Sequence, residues 1–328
     1  MNRSARIALA VGLGIAIVLI VRTGAGNIAA LLSRAGWKLL WLVPLQVLPL
    51  MLDALGWRCL IPSRVRLMRL FAIVCIRQAM NRLLPVANVG GDIVGIRLLA
   101  KRGVDGSAAT ASVIIELMLG IVAQYLFVAF GVACLLALTG NARLTRALIL
   151  GLGLALPPMI LMALLLRHGR VFARMTHLGR QLFGRWLADA QGLDVGDRLE
   201  SAVQGILGAG LRPLQSVGWQ LAGFLAGCSE TWLAMRWLGT PVNIAEAIVL
   251  ESLTQGAKSI LFLVPASFGV QEAGLVGVGH ILGLPSDAAL ALSMAKRVRE
   301  ILFGVPALIA WQYGLTARQH QSGAGEQR

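Results

Sequence analysis

Charged side chains inside apolar stretches are the groups of this chain that can do chemistry. Six cations, Arg77, Arg82, Lys258, Lys296, Arg297 and Arg299, and seven acids, Asp53, Asp92, Glu116, Glu230, Glu251, Glu272 and Glu300, fall within segments otherwise rich in Leu, Ile, Val, Ala and Gly. A charge at the bilayer centre costs about 2.5–3.5 kcal/mol on insertion scales, so such residues face a water-filled cavity or one another. The chemistry open to them is electrostatic: attraction of an anionic or polar headgroup, ion pairing, or a coupling proton carried by a carboxylate. Lys296 and Arg297 lie four and three residues before Glu300, so both pairs can meet on one helix face.

Two polar interruptions frame these charges. The first, NRLLPVANVGGD, contains Arg82, Pro85, Asn88, Gly90, Gly91 and Asp92; the second, VPASFGVQE, contains Pro265, Gly269 and Glu272. The two stand 180 positions apart without a gap: Pro85 falls on Pro265, Asp92 on Glu272, Gly103 on Gly283, and Ala108, Ala109 and Ala111 on Ala288, Ala289 and Ala291. Trp57 falls on Trp237 in the same register. That spacing predicts an internal duplication built around two broken helices. In a functional reading, Gly90 and Gly91 turn the backbone sharply, the positive end of the following half-helix offers amides to a phosphate or carboxylate, and Arg82 adds a charge-assisted contact. In a structural reading Asp92 and Glu272 satisfy those amides as first-turn acids and Arg82 pairs with Asp92. Lys258 belongs to the functional set, and Lys296, Arg297 and Arg299 form either a substrate clamp or a salt-bridge cluster.

The elements that must hold these residues are membrane helices. Hydrophobic residues are 57% and charged residues 14% of the 328, and the mean hydropathy is +0.75, outside the range of soluble domains. Lipid leaves no partner for free backbone groups, and long apolar runs rather than alternating ones favour helices over a barrel. Crossings are expected at 7–21, 37–57, 108–138, 148–166, 214–237 and 288–315. Residue Arg22, directly after the first run, argues for a retained helix rather than a cleaved signal. The segments 67–80 with 91–99, and 245–263 with 272–282, are short or broken and read as re-entrant hairpins. The fold expected is therefore an all-α polytopic membrane protein, one membrane domain over 1–328. It has about six transmembrane helices plus two re-entrant hairpins arranged as inverted repeats, 37–138 and 214–315.

Charge sets the orientation. With the amino terminus inside, eighteen of the loop cations fall on the cytoplasmic side, among them Arg58, Arg64, Arg66 and Arg69, and six fall outside. Both termini are then cytoplasmic, the first hairpin dips from the cytoplasm and the second from the outside. The loop 167–212 is the only extended polar region; its apolar residues from Val171 to Leu187 recur at three and four against Arg170, Arg174, Arg180 and Arg185. This basic amphipathic helix lies either on an anionic leaflet or on the protein's own cytoplasmic face. The tail 316–328 is expected to be disordered.

The net charge of +15 is scattered through loops without a nucleic-acid-binding motif, so no nucleic acid is expected as a partner. Cys59, Cys75, Cys134 and Cys228 lie singly, and the four histidines are dispersed, so no metal, no cofactor and no catalytic constellation is expected. No GxxxxGK[ST] loop is present.

The run LLPVANVGGDIVGIRLLAKRGV, followed by ATASVIIEL and later by VPASFGVQEAG, resembles the flippase-like membrane region of the lysylphosphatidylglycerol synthase family, in particular its hopanoid-biosynthesis-associated branch of lipid transporters. The resemblance implies a protein of the bacterial inner membrane that handles lipid, with Pro85, Gly90, Gly91, Asp92, Pro265, Gly269 and Glu272 as motif positions. Many relatives carry an arginine after the acid matching Glu116; here Leu117 stands there, whereas its repeat mate Arg297 is present. The expected function is a flippase or scramblase-like lipid transporter, not an enzyme, with membrane lipids as its ligands. A membrane enzyme or a scaffold for lipid-biosynthesis enzymes is the alternative. The number of copies in the assembly is left open.

Overall fold

A computed structural model describes residues 25–63, 65–83, 90–140, 142–168, 193–260 and 269–325. Among them every regular element is helical: α1 (Ala25–Ala35), a 3-10 stretch (Gly36–Trp41), α2 (Leu42–Leu45), α3 (Val47–Leu60), α4 (Leu67–Leu83), α5 (Gly90–Ala100), α6 (Gly106–Thr139), α7 (Ala142–His168), α8 (Leu193–Leu207), α9 (Arg212–Trp237), α10 (Ile244–Ile260), α11 (Val270–Ile281) and α12 (Ser286–Gly325).

Local chemistry explains several boundaries. Asp105 caps α6, its carboxylate accepting from the amides of Ser107 at 2.9 Å and Ala108 at 3.1 Å. Gly140, at φ +58°, ends the same helix in the left-handed conformation. Before α10, Asn243 and Glu246 form a reciprocal box: the Asn243 amide donates to Glu246 at 2.7 Å and the Glu246 amide to Asn243 Oδ1 at 2.8 Å. The helix expected over 37–57 starts earlier, at Ala25, and is not uniform. Gly36 has φ +53°, and Pro44 and Pro49 supply no N–H to the ladder, so the chain passes through 3-10 geometry before α3.

The packing is reciprocal. Helix α4 lies against α3, α5 and α12, while α10 lies against α9, α11 and α6; α3 and α9 pack against each other. Helices α5 and α11 begin 180 residues apart, as do α6 and α12. One apolar core joins α9 to α12 through Met235, Leu250, Leu275 and Leu292, and another joins α3 to α6 through Trp57, Leu70, Leu99 and Val113. Leu150, Leu154, Ile301 and Ile309 instead point outward, as lipid-facing residues do. Two described stretches, Ala29–Leu60 and Gly106–Thr139, are long and apolar enough to cross a membrane.

Other expectations shift. Helix α8 arises inside the loop read as 167–212 and packs on α6 through Val203 and Ile206, a contact that no motif announced. Helix α12 is drawn to Gly325, since between Thr316 and Gln321 no residue breaks a helix. The expected first crossing, the amphipathic residues 171–187 and the tips holding Pro85, Asn88 and Pro265 lie outside the described residues.

Candidate functional site

Helix α4 points Arg77 at both neighbouring helices. Its Nε and Nη2 donate to Asp92 Oδ1 on α5 at 3.1 and 2.8 Å, and its Nη1 to Glu116 Oε2 on α6 at 2.7 Å. The guanidinium also lies 4.6 Å from the ring centroid of Trp57 on α3, whose indole N–H is fixed by Ser112 Oγ at 3.2 Å. Two glycines one turn apart on α5 make room for this. A Cβ at Gly91 would sit 2.4 Å from the Arg77 carbonyl oxygen, and one at Gly95 would sit 2.6 Å from Arg77 Cδ.

The second half holds its acid differently. Glu272 on α11 is fully buried; it accepts from Arg297 Nε at 2.8 Å and from Ser293 Oγ at 3.1 Å, both on α12. Ser293 in turn accepts from Gln271 Nε2 at 3.0 Å, and Gln271 Oε1 accepts from Lys258 Nζ at 2.9 Å. Leu117 occupies the place of Arg297, and Ala257 the place of Arg77, in the 180-residue register. The guanidinium therefore comes from α4 in one half and from α12 in the other.

Between the halves lies a cavity of about 220 Å³ lined by residues of α3, α4, α9, α10, α11 and α12. Its wall carries four acids, Asp53, Glu230, Glu251 and Glu300, and four cations, Arg82, Lys258, Lys296 and Arg299. Lys296 pairs with Glu251, which also accepts from Thr231 Oγ1 at 2.6 Å. Arg299 donates to Glu230 and to Gln46, and Glu300 stands 3.7 Å from both Arg82 and Arg299. A second cleft of about 360 Å³, lined by Arg77, Asn81, Asp92 and Glu116, meets the first at Asp53, Gln78, Gln220 and Phe224.

The expected site residues divide accordingly. Arg82, Lys258 and Lys296 line the cavity, Asp92 lines the second cleft, and Arg297 with Glu272 ties α12 to α11. Gly90 opens α5, and Gly269, at φ +75°, precedes α11 without a side-chain cap. Four details are corrected. Arg82 meets Glu300, while Arg77 takes Asp92, because Arg77 lies opposite the Gly91–Gly95 face and Arg82 is more than a turn further on. Asp92 and Glu272 turn to guanidinium groups rather than to first-turn amides. The Gly91 amide expected to face a ligand donates instead to Asn81 Oδ1 at 2.9 Å. Lys296 and Arg297 form ion pairs across helices with Glu251 and Glu272, and Glu300 is shared by Arg82 and Arg299.

Sequence reasoning marked Arg77, Asp53, Glu116, Glu230, Glu251 and Glu300 as misplaced charges without assigning them to the site. Gln46, Gln78, Gln220, Gln255 and Gln271 went unmarked, though a glutamine in an apolar helix is itself a signal of a polar interior. Among the described residues no cluster of His, Cys, Asp and Glu could hold a metal ion. What the arrangement can do is receive a polar group of modest size among paired charges and amides.

No curated protein and no solved structure matches the chain. The family model described as the lysylphosphatidylglycerol synthase TM region matches residues 7–307. That match spans most of the sequence, so the chain is a membrane protein of a lipid-related family and belongs to the lysylphosphatidylglycerol synthase TM region family.

Proposed function

We propose that this protein moves a polar or hopanoid-type lipid across, or out of, the bacterial inner membrane. The observation that carries this reading is the charged cavity of about 220 Å³, walled by four acids and four cations inside a molecule that exposes many large apolar side chains. Charged groups at that depth are expensive, and a water-filled headgroup site is the usual reason for them. The reciprocal packing of α4 and α10 and the 180-residue spacing of the short helices support two inverted repeats. In this reading α4–α5 and α10–α11 are re-entrant hairpins, one dipping from the cytoplasm and one from the outside, within about six crossings and with both termini cytoplasmic. Alternating access then follows from one repeat rocking against the other.

No catalytic step is assigned to the chain. Purified protein in liposomes is expected to move labelled lipid between leaflets. Asp92→Ala and Glu272→Ala should each slow that movement roughly tenfold, equivalent to about 1.4 kcal/mol, while membrane insertion stays intact. Absence of movement in well-inserted protein, with lipid-synthesis enzymes still bound to it, would overturn the transporter reading in favour of a scaffold.

A further inference from the structure

The charges of the cavity are not all used by one another. Lys296 and Glu251 form a pair, and Glu300 lies between Arg82 and Arg299. Lys258 donates only to the neutral Gln271 and makes no ion pair with a described residue. Asp53 takes no hydrogen bond or ion pair among the described residues, and the guanidinium that acts on it, Arg77 of the second cleft, is already held by Asp92 and Glu116. Asp53 stands where the two clefts meet. Glu230, only 4% exposed, gives one oxygen to Arg299, while its Oε1 is buried with no partner. The cavity wall thus sums to zero, yet keeps one ammonium and two carboxylates with capacity to spare.

Resting on the lipid reading above, we infer that the cavity receives a zwitterionic phospholipid headgroup, a primary ammonium joined through two carbons to a phosphodiester. The phosphate lies on Lys258, and the ammonium on Glu230 and Asp53. A headgroup with net charge would leave that charge uncompensated among wall charges that already cancel. The zwitterion brings none. A primary ammonium has three donors for Glu230 Oε1 and Asp53, whereas a quaternary one has no N–H to give. The cavity of about 220 Å³ has room for several waters and so for a headgroup, while the acyl chains are left to the apolar exterior.

The test is competitive binding to the purified full chain in detergent, read by native mass spectrometry with phosphatidylethanolamine, phosphatidylglycerol and phosphatidylcholine in equal amounts. Phosphatidylethanolamine should be retained about tenfold over either rival. Glu230→Gln should bring that ratio close to one, whereas Lys258→Gln, at the phosphate that all three lipids share, should weaken retention of all three together. Lys258→Gln breaks no ion pair, so its result stands even if Glu230→Gln misfolds. Displacement by glycerophosphoethanolamine but not by glycerophosphoglycerol would place the recognition in the headgroup. Equal or greater retention of phosphatidylglycerol, undiminished retention of all three lipids in Lys258→Gln, or no displacement by either soluble headgroup would overturn the inference. Headgroup preference without leaflet movement keeps it and removes the transporter reading, and movement without preference does the reverse.

Discussion

The buried acid of each short helix is met by a guanidinium carried on a different element: Arg77 of α4 reaches Asp92, and Arg297 of α12 reaches Glu272. A buried ion pair adds little net stability, but removing one partner leaves the other charged in a dry site at a cost of about 3–5 kcal/mol. Arg77→Ala strands both Asp92 and Glu116, and is expected to lower the melting temperature in detergent more than any surface arginine substitution does. The register makes a sharper prediction. Adding Leu117→Arg to Arg77→Ala moves the guanidinium to the position Arg297 uses, and should restore at least half of the lost stability. A double variant no more stable than the single one would show that the two halves are not interchangeable in this respect. The sequence made the charges themselves legible, because each breaks an apolar run. Their partners were not, because an α-helix turns 100° per residue and which face meets which helix is settled only by tertiary packing. That is why Arg82, nearest in sequence to the tip, reads as the partner of Asp92, when the side chain opposite the α5 glycines is Arg77.

At the scale of elements, glycines set how closely the helices approach. Gly91 lies against the α4 backbone. At the crossing of α6 and α10, a Cβ on Gly131 would sit 1.7 Å from Ser252 Oγ. Gly91→Ala and Gly131→Ala should therefore each destabilise by about 1–3 kcal/mol through overpacking. Gly106→Ala, with nothing within 4 Å, should be nearly silent. Thermal unfolding of the three variants in one detergent checks the order; a Gly131→Ala protein as stable as Gly106→Ala would mean that α6 and α10 do not cross there. Several element positions were readable: the short segments expected at 67–80, 91–99 and 272–282 correspond to the helices Leu67–Leu83, Gly90–Ala100 and Val270–Ile281. They were readable because apolar runs bounded by Pro, Gly and basic residues have few alternatives. Helix α8 was not, since its short apolar stripe of Leu199, Val203 and Ile206 is unremarkable until α6 supplies the surface that buries it.

At the scale of the whole molecule, the proposed inverted arrangement makes a prediction about sides that neither the helices nor the cavity can make alone. Ser63, between α3 and α4, and Asn243, between α9 and α10, are both exposed and stand 180 residues apart. In a parallel duplication they would lie on the same side of the membrane; in an inverted one they lie on opposite sides. Arg58, Arg66 and Arg69 surround Ser63, whereas Arg236, in the last turn of α9, is the one basic residue near Asn243 before α10 starts, so in the proposed topology the positive-inside rule would put Ser63 in the cytoplasm and Asn243 outside. In a background with Cys59, Cys75, Cys134 and Cys228 replaced by alanine, a membrane-impermeant maleimide applied to intact cells should label Asn243→Cys, and should reach Ser63→Cys only after permeabilisation. Labelling of both from one side would make the repeats parallel. It would also remove the opposed hairpins on which the proposed alternating access to the cavity rests, whatever headgroup that cavity holds.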